Sequence, residues 1–355
     1  MSFHQFIPSE PNKQKNVYSL FEASQEGHTE VVRLLLDKED IDVNKARTSD
    51  GCTPLCIASQ KGHANVVQLL LDKEDIDVNK AMNDGVTSLF IASQNGRVDV
   101  VSKLLKKGVL VNKARNDGVT PLFIASQNGR ADVVQQLLDQ EDINVNQTNN
   151  NGVTPLIIAS QNGRVKIVRQ LLNAGADVNL ARNAGVTPLI IASANGRANV
   201  VKLLLDKEDI NVNQTNNNGV TPLIIASGYG HANVVQLLLD KEDIDVNQAM
   251  NDGVTPLIIA SARGHAEVVS KLLNKSVNMN LRVNMNQARN DGRTPLYIAS
   301  QNGRVDVVQL LLDAGADVNK ANKNGRTPLY IANQNNHANV VNMLRNKGAN
   351  VFQVF

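Results

Sequence analysis

A threonine opening the tripeptide TPL (TSL in one copy) recurs at Thr53, Thr87, Thr120, Thr154, Thr187, Thr221, Thr255, Thr294 and Thr327. Successive copies lie 34, 33, 34, 33, 34, 34, 39 and 33 residues apart. A period this short and this regular calls for a stack of like units rather than one globular core. The one-residue alternation has a local cause. Copies ending in DKEDIDVN or DKEDINVN carry one linker residue more than copies ending in NAGADVN or DAGADVN. The 39-residue step contains VNMNLRVNMNQA, a small tandem slip that should form a longer loop.

Each unit has a physical grammar. Thr followed by Pro starts a helix, the hydroxyl capping free N–H groups and Pro fitting the first turn. LIIAS supplies the apolar residues of a short helix, and the Gly of QNG or KGH ends it. ANVVQLLLDK is a second, amphipathic helix whose buried set in one copy is Val66, Val67, Leu70 and Leu71. DVNKAMNDG is a polar turn with Asp-Gly or Asn-Gly at its tip. Helices this short are marginal alone and must be stabilised by their neighbours.

This pattern resembles the ankyrin repeat family, whose 33-residue period and T-P-L-H-x-A motif it follows over roughly residues 16 to 355. The resemblance implies an all-α solenoid of about ten stacked helix-turn-helix repeats with projecting β-turn or hairpin loops. With roughly 8–10 Å between packed helix layers, the stack should extend on the order of 80–100 Å. The first repeat (16–50) and the last (325–355) would act as caps, and residues 1–15 would form a disordered tail. One departure is consistent. The family's His after TPL is replaced by Cys56, Phe90, Phe123, Ile157, Ile190, Ile224, Ile258, Tyr297 and Tyr330. Apolar packing should therefore replace a polar link between repeats. Ser88 stands for Pro in one copy, which should weaken that helix start slightly.

Two positions break the apolar pattern with a charge. Glu22 stands where nine later copies carry Ile, and Arg345 where nine earlier copies carry Leu. A terminal repeat has one face without a neighbour and needs it polar. Both charges fit a complete array with caps, although erosion of terminal copies would also produce them.

Composition narrows the function classes. The chain is 42% apolar but only 3% aromatic with no Trp, so Ala, Val, Leu and Ile must build the core. A net charge of +2, with no basic stripe, argues against a nucleic-acid binder. No apolar run suits a membrane span or a signal region, so a cytoplasmic or nuclear protein is the simplest expectation. Two cysteines, Cys52 and Cys56, supply neither a disulfide framework nor a four-ligand zinc site. His28, His63, His231, His265 and His337 share a slot with Arg97, Arg130, Arg164, Arg197 and Arg304. A slot that takes His or Arg interchangeably is structural, with a hydrogen bond at the start of the second helix expected. No general acid–base pair, phosphate loop or nucleophile motif stands out, so neither catalysis, a cofactor nor a bound metal is expected.

The expected function is that of a monomeric, non-enzymatic scaffold holding a protein partner on its concave face. A substrate-recruiting adaptor or secreted effector is one alternative, with the C-terminal NVFQVF as its only candidate motif; an elastic spacer is another. The resemblance places partners at the turn tips and the inner face of the first helices. Val86, Val119, Val153, Val186, Val220 and Val254 follow the turn Gly in six consecutive copies, then Arg293 and Arg326. A solvent-facing valine ridge and one tolerated residue copied by duplication are both open readings. The pair before the helix-ending Gly is usually Gln-Asn but becomes Ala194-Asn195, Gly228-Tyr229 and Ala262-Arg263. Tyr229 and Arg263, flanked by Val186, Val220, Val254 and Arg293, are the best candidate for a binding centre. The resemblance also implies asparaginyl hydroxylation, known in animal members of the family, at the Asn of DVN: Asn44, Asn79, Asn179, Asn247 and Asn319.

Overall fold

The structure is a computed structural model that describes residues 18–278 and 283–350. The expected tail at 1–15 and the last phenylalanines, Phe352 and Phe355, lie outside the described residues. The chain divides between Asn116 and Asp117 into two compact units. Among the described residues there are twenty α-helices, one 3-10 turn at Asn183–Gly185, and no strand. Helices come in pairs, three pairs in the N-terminal unit and seven in the C-terminal one. Numbering repeats by their threonines makes Thr53 the start of repeat 2 and Thr327 that of repeat 10. Within each unit a first helix packs on the first helix of the next repeat, and second helices pack likewise.

The helix starts follow their sequence. Thr221 Oγ1 accepts from the Ile224 N–H at 3.1 Å, with Pro222 in the first turn. Where Ser88 replaces Pro, Thr87 still accepts from Phe90 N–H at 3.2 Å. Repeat 1 starts differently. Its first helix, Leu20–Glu26, is capped by Ser19, which stands in the Pro slot, so the cap sits one residue later. Glu22 thereby becomes the third helical residue and closes a capping box. Its carboxylate accepts from Ser19 N–H and Oγ–H, both at 2.9 Å, while Ser19 Oγ accepts from Glu22 N–H. Elsewhere the equivalent Ile faces the preceding repeat; a Cβ added at Gly228 would lie 3.1 Å from Ile259 Cγ1. Glu22 is exposed and has no such neighbour among the described residues. Arg345 is exposed as well.

The core of each unit is aliphatic and is shared by its neighbouring repeats. In repeat 7, Val234, Val235, Leu238 and Leu239 are all buried, each contributing about 1.5–3 kcal/mol when fully removed from water. The slot that holds His in the family is buried from Cys56 through Tyr297, in apolar clusters shared by neighbouring repeats. Cys52 and Cys56 are free thiols inside one such cluster with Ile57, Phe21 and Met82.

Three expectations change. The valines do not form an exposed ridge: Val186, Val220 and Val254 are buried, as are Val86 and Val119. Each closes its turn through the backbone, as Val254 does by accepting from Met250 N–H at 2.9 Å. The side chain then points into the first-helix layer, where Val254 packs with Ile258, Tyr297 and Ile298. The His/Arg slot bonds across the repeat boundary rather than at its own helix start. The Nε2 hydrogen of His265 donates to Gly228 O at 3.1 Å and that of His63 to Gln25 O at 3.0 Å. Arg197 Nε donates to Gln161 O at 3.2 Å. The long step of repeat 8 is helical through Asn278, in a second helix Ala266–Asn278 of 13 residues against eight or nine elsewhere. Its extra residues therefore extend a helix before any loop; residues 279–282 lie outside the described set.

Candidate protein-interaction site

The end of each first helix is built for contact with the next repeat. Its Gly adopts φ +75° at Gly230, and a Cβ there would lie 2.8 Å from His265 Nδ1. The residue before the Gly is normally Asn, which bonds back within its own helix in repeats 3 and 6, as Asn95 Nδ2 does to Ile91 O and Asn195 Nδ2 to Ile191 O, both at 2.8 Å, but joins repeats in three others. Asn162 Nδ2 donates to Gln127 O at 3.1 Å, Asn302 Nδ2 to Ala262 O at 2.9 Å, and Asn335 Nδ2 to Gln301 O at 2.8 Å. Repeats 7 and 8 put Tyr229 and Arg263 in this slot. Tyr229 is 53% exposed, an unusual position for a large aromatic in a chain so poor in them. The Arg263 guanidinium sits 5.3 Å from its ring centroid, and the His231 ring stacks on it at 6.0 Å.

The other predicted residues are placed differently. Arg293 is half-buried, its Nε donating to Asp291 at 2.8 Å and its Nη1 to Gln301 Oε1 at 3.3 Å. The bond from Arg293 holds the Asp291 carboxyl below its ordinary range, against a smaller opposing effect of burial. Arg293 thus clamps its own turn and ties it to Gln301 at the end of the same repeat's first helix. Val186, Val220 and Val254 lie beneath this surface and offer a partner no side chain. The structure therefore brings Tyr229 and Arg263 together, holds Arg293 on its own turn, and buries the valines.

A second pair escaped the sequence reading. Arg326 lies 5.5 Å over the Tyr330 ring, and Asn322 Nδ2 donates to Tyr297 Oη at 3.3 Å between the two repeats. Spacing i, i+4 across the helix start carried this signal, because residue i precedes the Thr cap and leans over the first turn.

The asparagines of DVN are half-buried and have a structural task. Asn179 Nδ2 donates to Asp209 O at 2.7 Å, and its Oδ1 accepts from Asn211 N–H at 2.9 Å. Leu110 N–H donates to Asn79 Oδ1 at 2.9 Å, Asn284 N–H to Asn247 Oδ1 at 2.8 Å, and Asn350 N–H to Asn319 Oδ1 at 2.8 Å. Each amide ties one linker to the backbone of the next.

Among the described residues no cluster of three or more His, Cys, Asp or Glu could hold a metal ion. No described helix is long and apolar enough to cross a membrane. The Cys52 thiol is lowered by its bond with Cys56, and the Cys56 thiol is raised by the same bond and by burial.

The family described as Ankyrin repeats (3 copies) matches the chain in overlapping spans: residues 3–82, 20–115, 74–149, 90–182, 141–216, 180–250, 209–283 and 280–354. The chain belongs to the ankyrin repeat family. Ankyrin repeats are generally protein-interaction modules and are typically non-enzymatic. No curated protein matches the chain.

Proposed function

We propose that this ankyrin repeat protein is a non-enzymatic scaffold that holds a protein partner on the face built by its first helices and turn tips, centred on Tyr229 and Arg263. One observation carries the reading. In repeats 7 and 8 an Asn that joins neighbouring repeats in repeats 5, 9 and 10 has been exchanged for a solvent-facing Tyr–Arg pair. Such an exchange gives up a bond that stabilises the stack for residue types that anchor interfaces. Arg293 belongs to the rim of this site, and Val186, Val220 and Val254 support it from below.

The test is affinity purification from native lysate with mass-spectrometric identification, comparing the natural chain with Tyr229→Ala/Arg263→Glu. Both chains are first confirmed as folded by circular dichroism. A partner retained by the first and lost by the second supports the reading. Identical partners for both would move the site elsewhere, and no specific partner for either would favour the spacer. We also propose Asn79, Asn179, Asn247 and Asn319 as hydroxylation sites, since an oxygen added at Cβ leaves the amide bonds in place. Mass spectrometry of natively expressed protein with no added oxygen on these residues would remove that proposal.

A further inference from the structure

The charges of the C-terminal unit are segregated by face. Its seven first helices, from Pro121–Asn128 to Pro328–Gln334, contain no Asp or Glu and one basic residue, Arg263. Acidic residues lie instead on the second helices, the linkers and the turn tips, as Asp132, Glu267 and Asp306 do. At the tips of repeats 8 and 9 the acids are already neutralised. Asp252 pairs with Arg289 at 3.0 Å and Asp291 with Arg293 at 2.7 Å.

Arg263 and Arg326 differ from those arginines. Each guanidinium stacks on a tyrosine, Tyr229 and Tyr330 respectively. Both arginines are exposed, and among the described residues neither has a carboxylate partner. A guanidinium resting against a ring, exposed and without a carboxylate partner, has its N–H donors free for bidentate recognition of a carboxylate. A stack also orders the side chain before a ligand arrives, which lowers the cost of binding.

We propose that the partner segment is an extended acidic peptide whose carboxylates pair with Arg263 and Arg326 while its apolar residues lie on Tyr229 and Tyr330; this rests on the scaffold reading above. Two repeats separate the arginines, roughly 20 Å at 8–10 Å per packed helix layer. Arg263 ends its first helix whereas Arg326 precedes one. That adds ~12 Å along the helix axis at about 1.5 Å per residue, so the two lie about 23 Å apart. An extended chain rising ~3.3 Å per residue covers that distance in about seven residues. The occupant therefore has two acidic positions at about that spacing with an aromatic or aliphatic residue beside one of them.

The test is selection of a random twelve-residue peptide display library (a length of about two such spacings, chosen from the same rise per residue) on the folded full-length protein. Arg263→Glu/Arg326→Glu and the milder Arg263→Gln/Arg326→Gln are selected in parallel. A further variant with the same charge change on second helices, Arg169→Glu/Lys202→Glu, controls for net charge. The expected result is enrichment of peptides with paired Asp or Glu at the stated spacing. Their synthetic consensus should bind both Arg variants at least about tenfold more weakly, a difference of about 1.4 kcal/mol, and the control unchanged. The glutamate variant should instead enrich Lys and Arg. Peptides enriched without an acidic bias, or acidic peptides held equally by the Arg variants, overturn the inference. Either result leaves the Tyr229-centred scaffold to stand or fall on partner capture. No enrichment at all also overturns the inference.

Discussion

Ala184 shows how much one side-chain oxygen decides in this protein. At the other turn tips an Asp or Asn accepts from a backbone N–H of its own turn. Asp252 Oδ1 takes Val254 N–H at 3.1 Å, and Asn216 Oδ1 takes Val220 N–H at 3.0 Å. Repeat 6 has Arg182 and Ala184 in the two positions that supply this acceptor, and neither can. The tip rearranges into a 3-10 turn in which Ala184 adopts φ +74°, a conformation costly for a residue with a Cβ. Ala184→Asp should restore the ordinary turn and stabilise the protein by about 1 kcal/mol, read as a higher urea midpoint. Gly230 presents the opposite case. Gly230→Ala combines a left-handed φ with a Cβ 2.8 Å from His265 and should cost about 2 kcal/mol or more. The equivalent residue of repeat 10, Asn336, takes φ +58° without Gly, and no following His or Arg presses on it among the described residues. Asn336→Gly should therefore stay within about 1 kcal/mol of the natural chain in the same urea measurement. Acid should weaken repeat 1 and the turn after it. Bonds from Ser19 lower the Glu22 carboxyl, and the bond from Arg47 lowers Asp50 to about 2. Carboxyls lowered by folding stabilise above their unfolded values near 4 and lose that contribution as pH falls through the folded ones. Helical signal of the natural chain should start to fall below pH ~4, and Arg47→Ala should shift the onset upward.

Within the elements, stability is divided between an aliphatic interior and ladders of single polar bonds at its edges. The Asn of each linker is one rung. Asn213 Nδ2 donates to Asp243 O at 2.7 Å and its Oδ1 accepts from Asp245 N–H at 2.9 Å, joining the linker after repeat 6 to the one after repeat 7. Asn213→Ala should cost about 1–2 kcal/mol, since two net bonds are lost at a position reached by water. Hydrogen exchange should show the loss confined to the linkers on either side. The first helices carry the opposite burden, at eight residues or fewer each. They persist because a side-chain cap opens every one, Pro follows it in eight, a left-handed residue, Gly or Asn336, follows the end, and one side packs on a neighbouring repeat. Helix Ala266–Asn278 exceeds the usual length: the DKED or DQED run, or the glycine, that ends the other second helices is replaced here by NKSVN, which continues the helix. Apolar and polar residues alternating there read equally well as loop or helix, and the preceding helix decided the matter by continuing.

Stacked repeats exchange energy mainly with neighbours, so damage should stay local. Leu238 is fully buried in repeat 7, and Leu238→Ala should cost about 2–5 kcal/mol. Hydrogen-exchange mass spectrometry should then show lost protection in repeats 6 to 8 while repeats 4 and 10 keep theirs. Uniform loss through the C-terminal unit would instead mean a single cooperative block. At this scale binding also separates from stability. Tyr229 and Arg263 stand outside both the aliphatic interior and the bond ladders, so replacing them should alter partner capture while leaving the thermal midpoint within a few degrees.

The sequence by itself determined the family, the helix pairs and their caps, because a 33-residue period and Thr-Pro starts act through local chemistry repeated in register. It also marked Glu22, a departure from nine copies, and Tyr229 and Arg263, departures from the usual Asn, since these are visible without coordinates. Only the tertiary structure decided what those departures do. The valines at 186, 220 and 254 turned inward because a side chain's face depends on the neighbouring repeat, which no single repeat encodes. Glu22 became half of a capping box because the helix start moved by one residue to Ser19. Arg263 and Arg326 were alike in the sequence to Arg289 and Arg293, yet one pair stacks on tyrosines and the other pair neutralises turn carboxylates. Partner choice among residues up to a repeat or more apart is settled by packing distance, and packing distance comes only from the fold.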